Sequence, residues 1–233
     1  MPRQTLDREI SQLQDEVLLL GSMVEQAMLN AVEALKLRDV KAARTINKAD
    51  DKINDKRYAI ENRILIVLAT QQPMAHDLRL LAAILEIITE IERMGDYAKG
   101  IARITVRLAD DETPFPIREI SDMADMAVSM LHRALGAFVS EDVSLAYSIP
   151  HEDDQVDELY NFVTRKVIQN MISNPDTIDH TSLIMWVVHD IERFADRVTN
   201  ICERTVFIAT GELLEMSSSE EEFEEEDETN VNM

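Results

Sequence analysis

Ile91-Glu92-Arg93-Met94-Gly95-Asp96 and Ile191-Glu192-Arg193-Phe194-Ala195-Asp196 are two occurrences of one acidic pattern in a chain of 233 residues. Each lies in a long run whose apolar residues recur at helical spacing. The likeness extends upstream: Asp39-Val40, Ala43, Asp50-Asp51 and Ile53-Asn54 match Asp142-Val143, Ala146, Asp153-Asp154 and Val156-Asp157 at an offset of 103, which falls to 100 at the Glu-Arg pattern. A drift that small is one helical turn or a short loop, so the chain reads as two copies of one helical unit carrying two copies of one carboxylate set.

Outward from the repeat, Leu6, Ile10, Leu13, Val17, Leu20, Val24, Ala27, Ala31 and Ala34 step by four and three, a heptad seam along a first long helix. Arg38-Asp39 interrupts it, and a second helix with Ile46, Ala49, Ile53, Ile60, Ile64 and Val67 on one face runs to Gln71-Gln72-Pro73. Pro73 suits the first turn of a third helix, whose apolar face is Leu81, Ile84, Leu85, Ile88 and Ile91. Thr113-Pro114-Phe115-Pro116 denies a helix its hydrogen bonds and marks the domain boundary. Beyond it the scheme repeats, with helices expected over about 117–140, about 142–172 and from Asn174-Pro175 to about Thr210-Gly211. Short connections make consecutive helices antiparallel. The expected fold is all-α: two tandem three-helix bundles, six long helices in all, over residues 1–112 and 113–211, then an acidic tail over 212–233.

Only 5 Gly and 6 Pro occur, and no window alternates as a strand does, so no sheet is expected. The single cysteine, Cys202, rules out an internal disulfide framework, fits a reducing compartment and reads as a small apolar filler. Trp186, Met185 and the other methionines read as core filling. The start Met1-Pro2-Arg3-Gln4-Thr5 has no apolar leader, and no uncharged apolar stretch reaches the roughly 18 residues of a membrane span. The expected location is cytoplasmic. Net charge is −22, of which the tail supplies ten acidic residues and no basic one. Nucleic acid is therefore not an expected partner, and the tail, unable to bury a face, is expected to be disordered.

The acids fall at matched levels of the hairpin whose tip is Pro73: Asp50 lies 23 residues before it and Asp96 23 after, with Asn54 and Glu92 at 19 and 19. Around Pro175, Asp153 and Asp157 stand 22 and 18 before, and Glu192 and Asp196 stand 17 and 21 after. Equal rise per residue brings each set to one level of an antiparallel pair. Carboxylates gathered at a helix seam must gain protons, pair with guanidinium groups such as Arg93 and Arg193, or bind a hard cation. Seven carboxylates outnumber those two arginines. Asp50, Glu92, Asp96, Asp153, Asp157, Glu192 and Asp196 are thus the candidate metal ligands. All-oxygen ligation suits Mg²⁺, Mn²⁺ or Ca²⁺, with iron if carboxylates bridge two ions. Zn²⁺ is less natural, since no Cys or His recurs. His189 has Thr89 as its counterpart, which argues for a local hydrogen-bonding role.

Asp50-Asp51-Lys52-Ile53-Asn54, Pro73-Met74-Ala75-His76-Asp77-Leu78-Arg79, Glu92-Arg93-Met94-Gly95-Asp96-Tyr97-Ala98 and Glu192-Arg193-Phe194-Ala195-Asp196-Arg197-Val198 together resemble the PhoU family of phosphate-uptake regulators, over nearly all of residues 6–210. The resemblance implies two similar three-helix bundles, acidic motifs that hold metal ions in some members, and often a homodimer. It also implies a non-enzymatic role: negative regulation of phosphate acquisition at the cytoplasmic face of a phosphate ABC transporter, reached through its ATPase subunit and in many bacteria a sensor histidine kinase. Two departures stand out: Pro73 to Arg79 has no full counterpart after Pro175, so any contact of Arg79 should be one-sided, and the acidic tail is foreign to the pattern. The alternatives are an accessory regulator of an ion-gradient-driven phosphate permease and, in a different class, a carboxylate-bridged metal-dependent hydrolase. For the hydrolase no phosphate cradle or positioned nucleophile is evident.

Overall fold

The computed structural model describes residues 2–109 and 113–216, and among them there is no strand. α1 (Pro2–Leu37), α2 (Val40–Gln71) and α3 (His76–Arg107) form one three-helix bundle; α4 (Ile117–Ser140), α5 (Val143–Ser148), α6 (Asp153–Ser173) and α7 (Ile178–Thr210) form the second. The all-α duplicated architecture expected from the repeat is the one found. The tail from residue 217 onward, expected to be disordered, lies outside the described residues.

The two copies share their corners. Arg38 and Glu141, 103 positions apart, both take the left-handed conformation (φ 53° and 52°). Asp39 and Asp142 follow as N-caps: Asp39 accepts from the amides of Lys41 and Ala42, Asp142 from that of Leu145. Each cap satisfies otherwise orphaned amides and contributes about 1 kcal/mol. The copies then diverge. The expected continuous helix over 142–172 is broken, because Pro150 lacks an amide donor where its counterpart in α2 is Asn47. α5 stops at Ser148, a 3₁₀ turn covers Pro150–Glu152, and α6 starts at Asp153. Pro73 likewise precedes α3 instead of entering its first turn, since the helix begins only at His76.

The heptad seam of α1 is the keel of the core, with Leu13, Val17, Leu20, Val24 and Ala31 fully buried; Met28 is fully buried in place of the expected Ala27, which is only half-buried. One window of α1 is long and apolar enough to cross a membrane, but its apolar stripe is taken up by α2, α3 and α4. Burial of each such aliphatic side chain stabilises by about 1.5–3 kcal/mol. Gly21 lets α1 approach α4: a Cβ there would stand 2.2 Å from Leu135 Cδ1. Gly21→Val should therefore lower stability by about 1–3 kcal/mol, read as a lower thermal midpoint, although a mid-helix glycine is intrinsically unfavourable.

A single apolar core runs through both bundles. α3 packs against α7, and α1 against α4. Glu86 meets Arg204 at 3.2 Å, Glu90 accepts from Asn200 Nδ2 at 3.2 Å, and Tyr97 Oη accepts from Arg193 Nε at 3.2 Å. Rising numbers in α3 face falling numbers in α7, so the two are antiparallel and a pseudo-twofold axis passes between them. Helices α2, α3, α7 and α6 thus form one layer and α1 with α4 the layer beneath. An axis normal to the four-helix layer sends each half's features to the same outer face.

Candidate functional site

The seam between α2 and α3 is internally neutralised. Asp50 is 3% exposed and accepts from Lys99 Nζ at 2.5 Å and from Asn54 Nδ2 at 3.1 Å. Asp96, on the exposed rim, stands 3.7 Å from the same ammonium. The hydrogen bond to Asp50 raises the pKa of Lys99. Burial, then Asp96, raises that of Glu92, against the nearby Arg57 guanidinium. The three expected acids do converge, but around a lysine and beside an arginine that the repeat pattern of acids does not reveal.

In the seam between α6 and α7 no cation among the described residues is bonded to the buried aspartate, although Arg197 and Arg193 act on Asp196 from farther off. Asp153 is 5% exposed, and its Oδ1 is buried without a hydrogen-bond partner. Burial followed by the fields of Asp157, Asp196 and Glu192 pushes Asp153 up to about 7. Glu192 is likewise pushed up to about 7, by burial and then Asp196 and Asp157. Burial also raises Asp196. The cause of the asymmetry is legible position by position: Lys99 is replaced by Thr199, Arg57 by Tyr160 and Asn54 by Asp157. At these three positions the second copy loses two cations and gains a carboxylate, while Arg197 in place of Tyr97 returns one cation on the Asp196 side. Asp153 and Asp196 line a polar cleft of about 230 Å³ together with Arg197, Thr199, Asn200, Glu203 and Met216.

Between the seams, α3 and α7 are bridged by a polar strip. Glu90 accepts from Arg93 Nη1 at 2.6 Å and from Arg197 Nη1 at 3.2 Å. Arg193 donates to Tyr97. The two arginines of the repeated pattern thus bind the strip and form no ion pair with Glu92 or Glu192. Asp190, the repeat counterpart of Glu90, lies against Gly100, where a Cβ would come within 2.5 Å of its Oδ2. Burial pushes Asp190 up to about 7. Sequence periodicity does not single out this strip, because its partners come from the other bundle. His189 Nδ1 stands 3.4 Å from Glu192 Oε2 without hydrogen-bond geometry, so that oxygen too is buried with no donor. Trp186 is not core filling: it is 60% exposed and meets His189 edge-on. Cys202 is buried in the core, which pushes its thiol up to about 12.

A hard divalent cation suits the second seam on the chemistry of its donors. Four carboxylates face one another there, and two of their oxygens are buried with no donor. Among the described residues no three His, Cys, Asp or Glu side chains stand as close together as a metal requires. Chelation therefore calls for side-chain rotation, chiefly of the rim residue Asp196. The first seam does not fit equally, since the Lys99 ammonium stands where a cation would.

The pattern of the PhoU domain matches residues 17–105 and 120–205, one copy on each bundle. The chain is 33% identical over 218 residues to the "Phosphate-specific transport system accessory protein PhoU homolog" of Clostridium acetobutylicum, covering 93% of this chain and 100% of that one. The similarly named protein of Pseudomonas aeruginosa is 31% identical over 209 residues, 89% of this chain and 86% of its own. The crystal structure of the phosphate transport system regulatory protein PhoU from Streptococcus pneumoniae superposes with a TM-score of 0.84 at 32% identity, covering 91% of this chain and all of that one. A domain matched twice, at the two places where the bundles fold, and relatives aligned nearly end to end leave one assignment: the chain belongs to the PhoU family.

Proposed function

We propose that this protein is the accessory regulator of a phosphate ABC transporter, restraining phosphate uptake and the phosphate-starvation response when phosphate is ample, without catalysis of its own. In this role it works in the cytoplasm as a homodimer, reaches the membrane only through its partners, and contacts the transporter's ATPase subunit and a sensor histidine kinase. The names of its full-length relatives support the phosphate-transport part. The observation that carries the mechanism is the partnerless, buried Asp153 Oδ1 among four further carboxylates on the outer face.

One hard cation, Mg²⁺, Mn²⁺, Ca²⁺ or iron, held by Asp153, Asp157, Glu192 and Asp196 would remove that repulsion and stiffen the α6–α7 pair. Asp50, Glu92 and Asp96 make the first seam a second ligand set in outline, with Lys99 already supplying its positive charge. The outer face, set by the two seams and the strip between them, is the surface a partner would meet. Tagged full-length protein drawn from phosphate-replete cells should bring down the ATPase subunit of a phosphate ABC transporter. Recovery of an ion-driven phosphate permease, or of neither, would overturn the partner assignment. Elemental analysis of the purified chain should find about one divalent ion per protomer, from the single fitting seam.

A further inference from the structure

The adjoining ends of α2 and α3 carry a charge opposite to that of the chain as a whole, −22. Residues 40–49 contain Lys41, Arg44 and Lys48, residues 99–107 contain Lys99, Arg103 and Arg107, and neither stretch has a carboxylate. Their repeat counterparts, 143–152 and 199–207, hold Glu152, Glu203 and only one Lys or Arg, Arg204. Lys99 is engaged by Asp50. Arg44, Lys48, Arg103 and Arg107 instead line a cleft of about 500 Å³ together with Ala102 and Val106, and none of the four has an ion-pair partner among the described residues. Arg107, in the last turn of α3, suits the dipole of its helix. Lys41 and Arg44 do not suit theirs, since they crowd the positive end of α2, whose first turn holds no acid. Asn47 aims one of the guanidinium groups: its Oδ1 accepts from Arg103 Nε at 3.0 Å, which leaves the two terminal nitrogens of Arg103 to fork onto an anion. The counterparts of Asn47 and Arg103 are Pro150 and Glu203, so the second copy has neither the anchor nor the cation.

We infer that the groove of Arg44, Lys48, Arg103 and Arg107 is a binding site for a soluble condensed-phosphate chain of three or more phosphates. The bond between Asn47 and Arg103 sets the register, placing Lys48 beside Arg103 and Arg44 beside Arg107 in the antiparallel pair. Two cation pairs result, about 5–6 Å apart along the helices, across a seam whose axes are about 8–10 Å apart. One helical turn, about 5.4 Å, is close to the separation of the outer phosphorus atoms in a three-phosphate chain, so each pair holds one end. Guanidinium forks match the non-bridging oxygens there. The charge of such a chain balances four cations. Orthophosphate reaches only one pair and gains too little to offset the repulsion of the acidic protein around it. The lining has no aromatic ring to stack a base, so a nucleoside triphosphate is held by its phosphates alone.

Calorimetric titration of the full-length, metal-free protein with sodium tripolyphosphate tests this; chelator-treated buffer is needed because metal at the acid seam would bind the same probe. One tripolyphosphate should bind per protomer, about tenfold or more tighter than orthophosphate, with ATP no tighter than tripolyphosphate. Arg103→Gln/Arg107→Gln should weaken binding about tenfold or more, with an unchanged thermal midpoint showing that the variant folds. Arg44→Gln/Lys48→Gln should do the same from the other helix. Arg118→Gln/Arg165→Gln, which removes equal charge from the second bundle, should leave the affinity within about twofold. Binding should weaken severalfold between about 0.05 M and about 0.5 M salt as the Debye length contracts. No tripolyphosphate binding, equal affinity for orthophosphate, or an equal loss in the Arg118/Arg165 variant would overturn the inference. Protein that floats with phosphatidylglycerol vesicles but does not bind tripolyphosphate would also overturn it, making the groove a membrane contact.

Discussion

Asp153→Asn should raise the thermal midpoint of the metal-free protein at pH 8, by roughly 3–10 °C, corresponding to about 1–3 kcal/mol. Removing a buried carboxylate ordinarily costs stability because a partner is stranded. Here the neighbours are four other carboxylates, Asp157, Asp196, Glu192 and Asp154, and Oδ1 has no donor to lose. An amide keeps the shape and offers two N–H donors to those acids. The pH dependence has a definite sign. Asp153 is raised from 3.8 to about 7 and Glu192 from 4.5 to about 7, so between roughly pH 4 and 7 the folded protein binds more protons than the unfolded chain. The stability these groups contribute is fully present below about pH 4 and is lost as pH rises through about 7. Metal-free protein should weaken across that window, and Asp153→Asn should weaken less. Asp190, also raised to about 7, remains in the variant and keeps the slope from vanishing. Added Mg²⁺ or Mn²⁺ should reverse the ranking, stabilising the parent protein far more than the variant. Melting curves at pH 5 and 8, with chelator and with metal, are sufficient. A variant less stable than its parent in chelator at pH 8 would mean that Asp153 has a stabilising partner.

The duplication, the six long helices and the levels at which acids meet were all legible in residue types and spacing, because amphipathic period and helical rise are local properties. The hairpin register came within one turn: Asn54 and Glu92 were expected at one level, and Arg57 does reach Thr89 at 3.4 Å on that register. Asp50, expected opposite Asp96, is instead bonded to Lys99, three residues on. The equivalence of the two seams was not a sound expectation. It followed from aligning the acids alone, whereas the neutral and basic neighbours at the same offsets, Lys99 against Thr199 and Arg57 against Tyr160, decide how each seam is charged. Pro150 carried its own warning, masked by an apolar period that continues through Ile149 to Val156. The α3–α7 strip was beyond sequence reasoning, since nothing local says that Glu90 will meet Arg197 and Asn200 from the other bundle. The one-sided role expected of Arg79 belongs to that interface as well: it donates to the Ile208 carbonyl at the end of α7, at 3.3 Å and 3.2 Å.

Lys99→Thr installs in the first copy the residue that the second copy already has, and it should turn a metal-indifferent seam into a metal-dependent one. Lys99 Nζ is the cation on Asp50, which is buried. Stranding that carboxylate should cost about 3–5 kcal/mol in chelator, a fall in midpoint on the order of 10 °C. Restored charge need not come from a side chain. Asp50, Glu92 and Asp96 would then face one another with Arg57 still acting on Glu92 and Asn54 still donating to Asp50, and a divalent cation should recover most of the loss while raising the metal content from about one to about two per protomer. The reciprocal change, Thr199→Lys, should bring an ammonium to Asp153, lower the metal content toward zero and remove most of the metal-dependent gain in midpoint. Together the pair separates electrostatic replacement from general damage, because a disrupted fold would lose metal in both variants. Lys99→Thr protein that stays at one ion and melts at the same reduced temperature with or without metal would show that the first seam lacks the ligand geometry, whatever its charge.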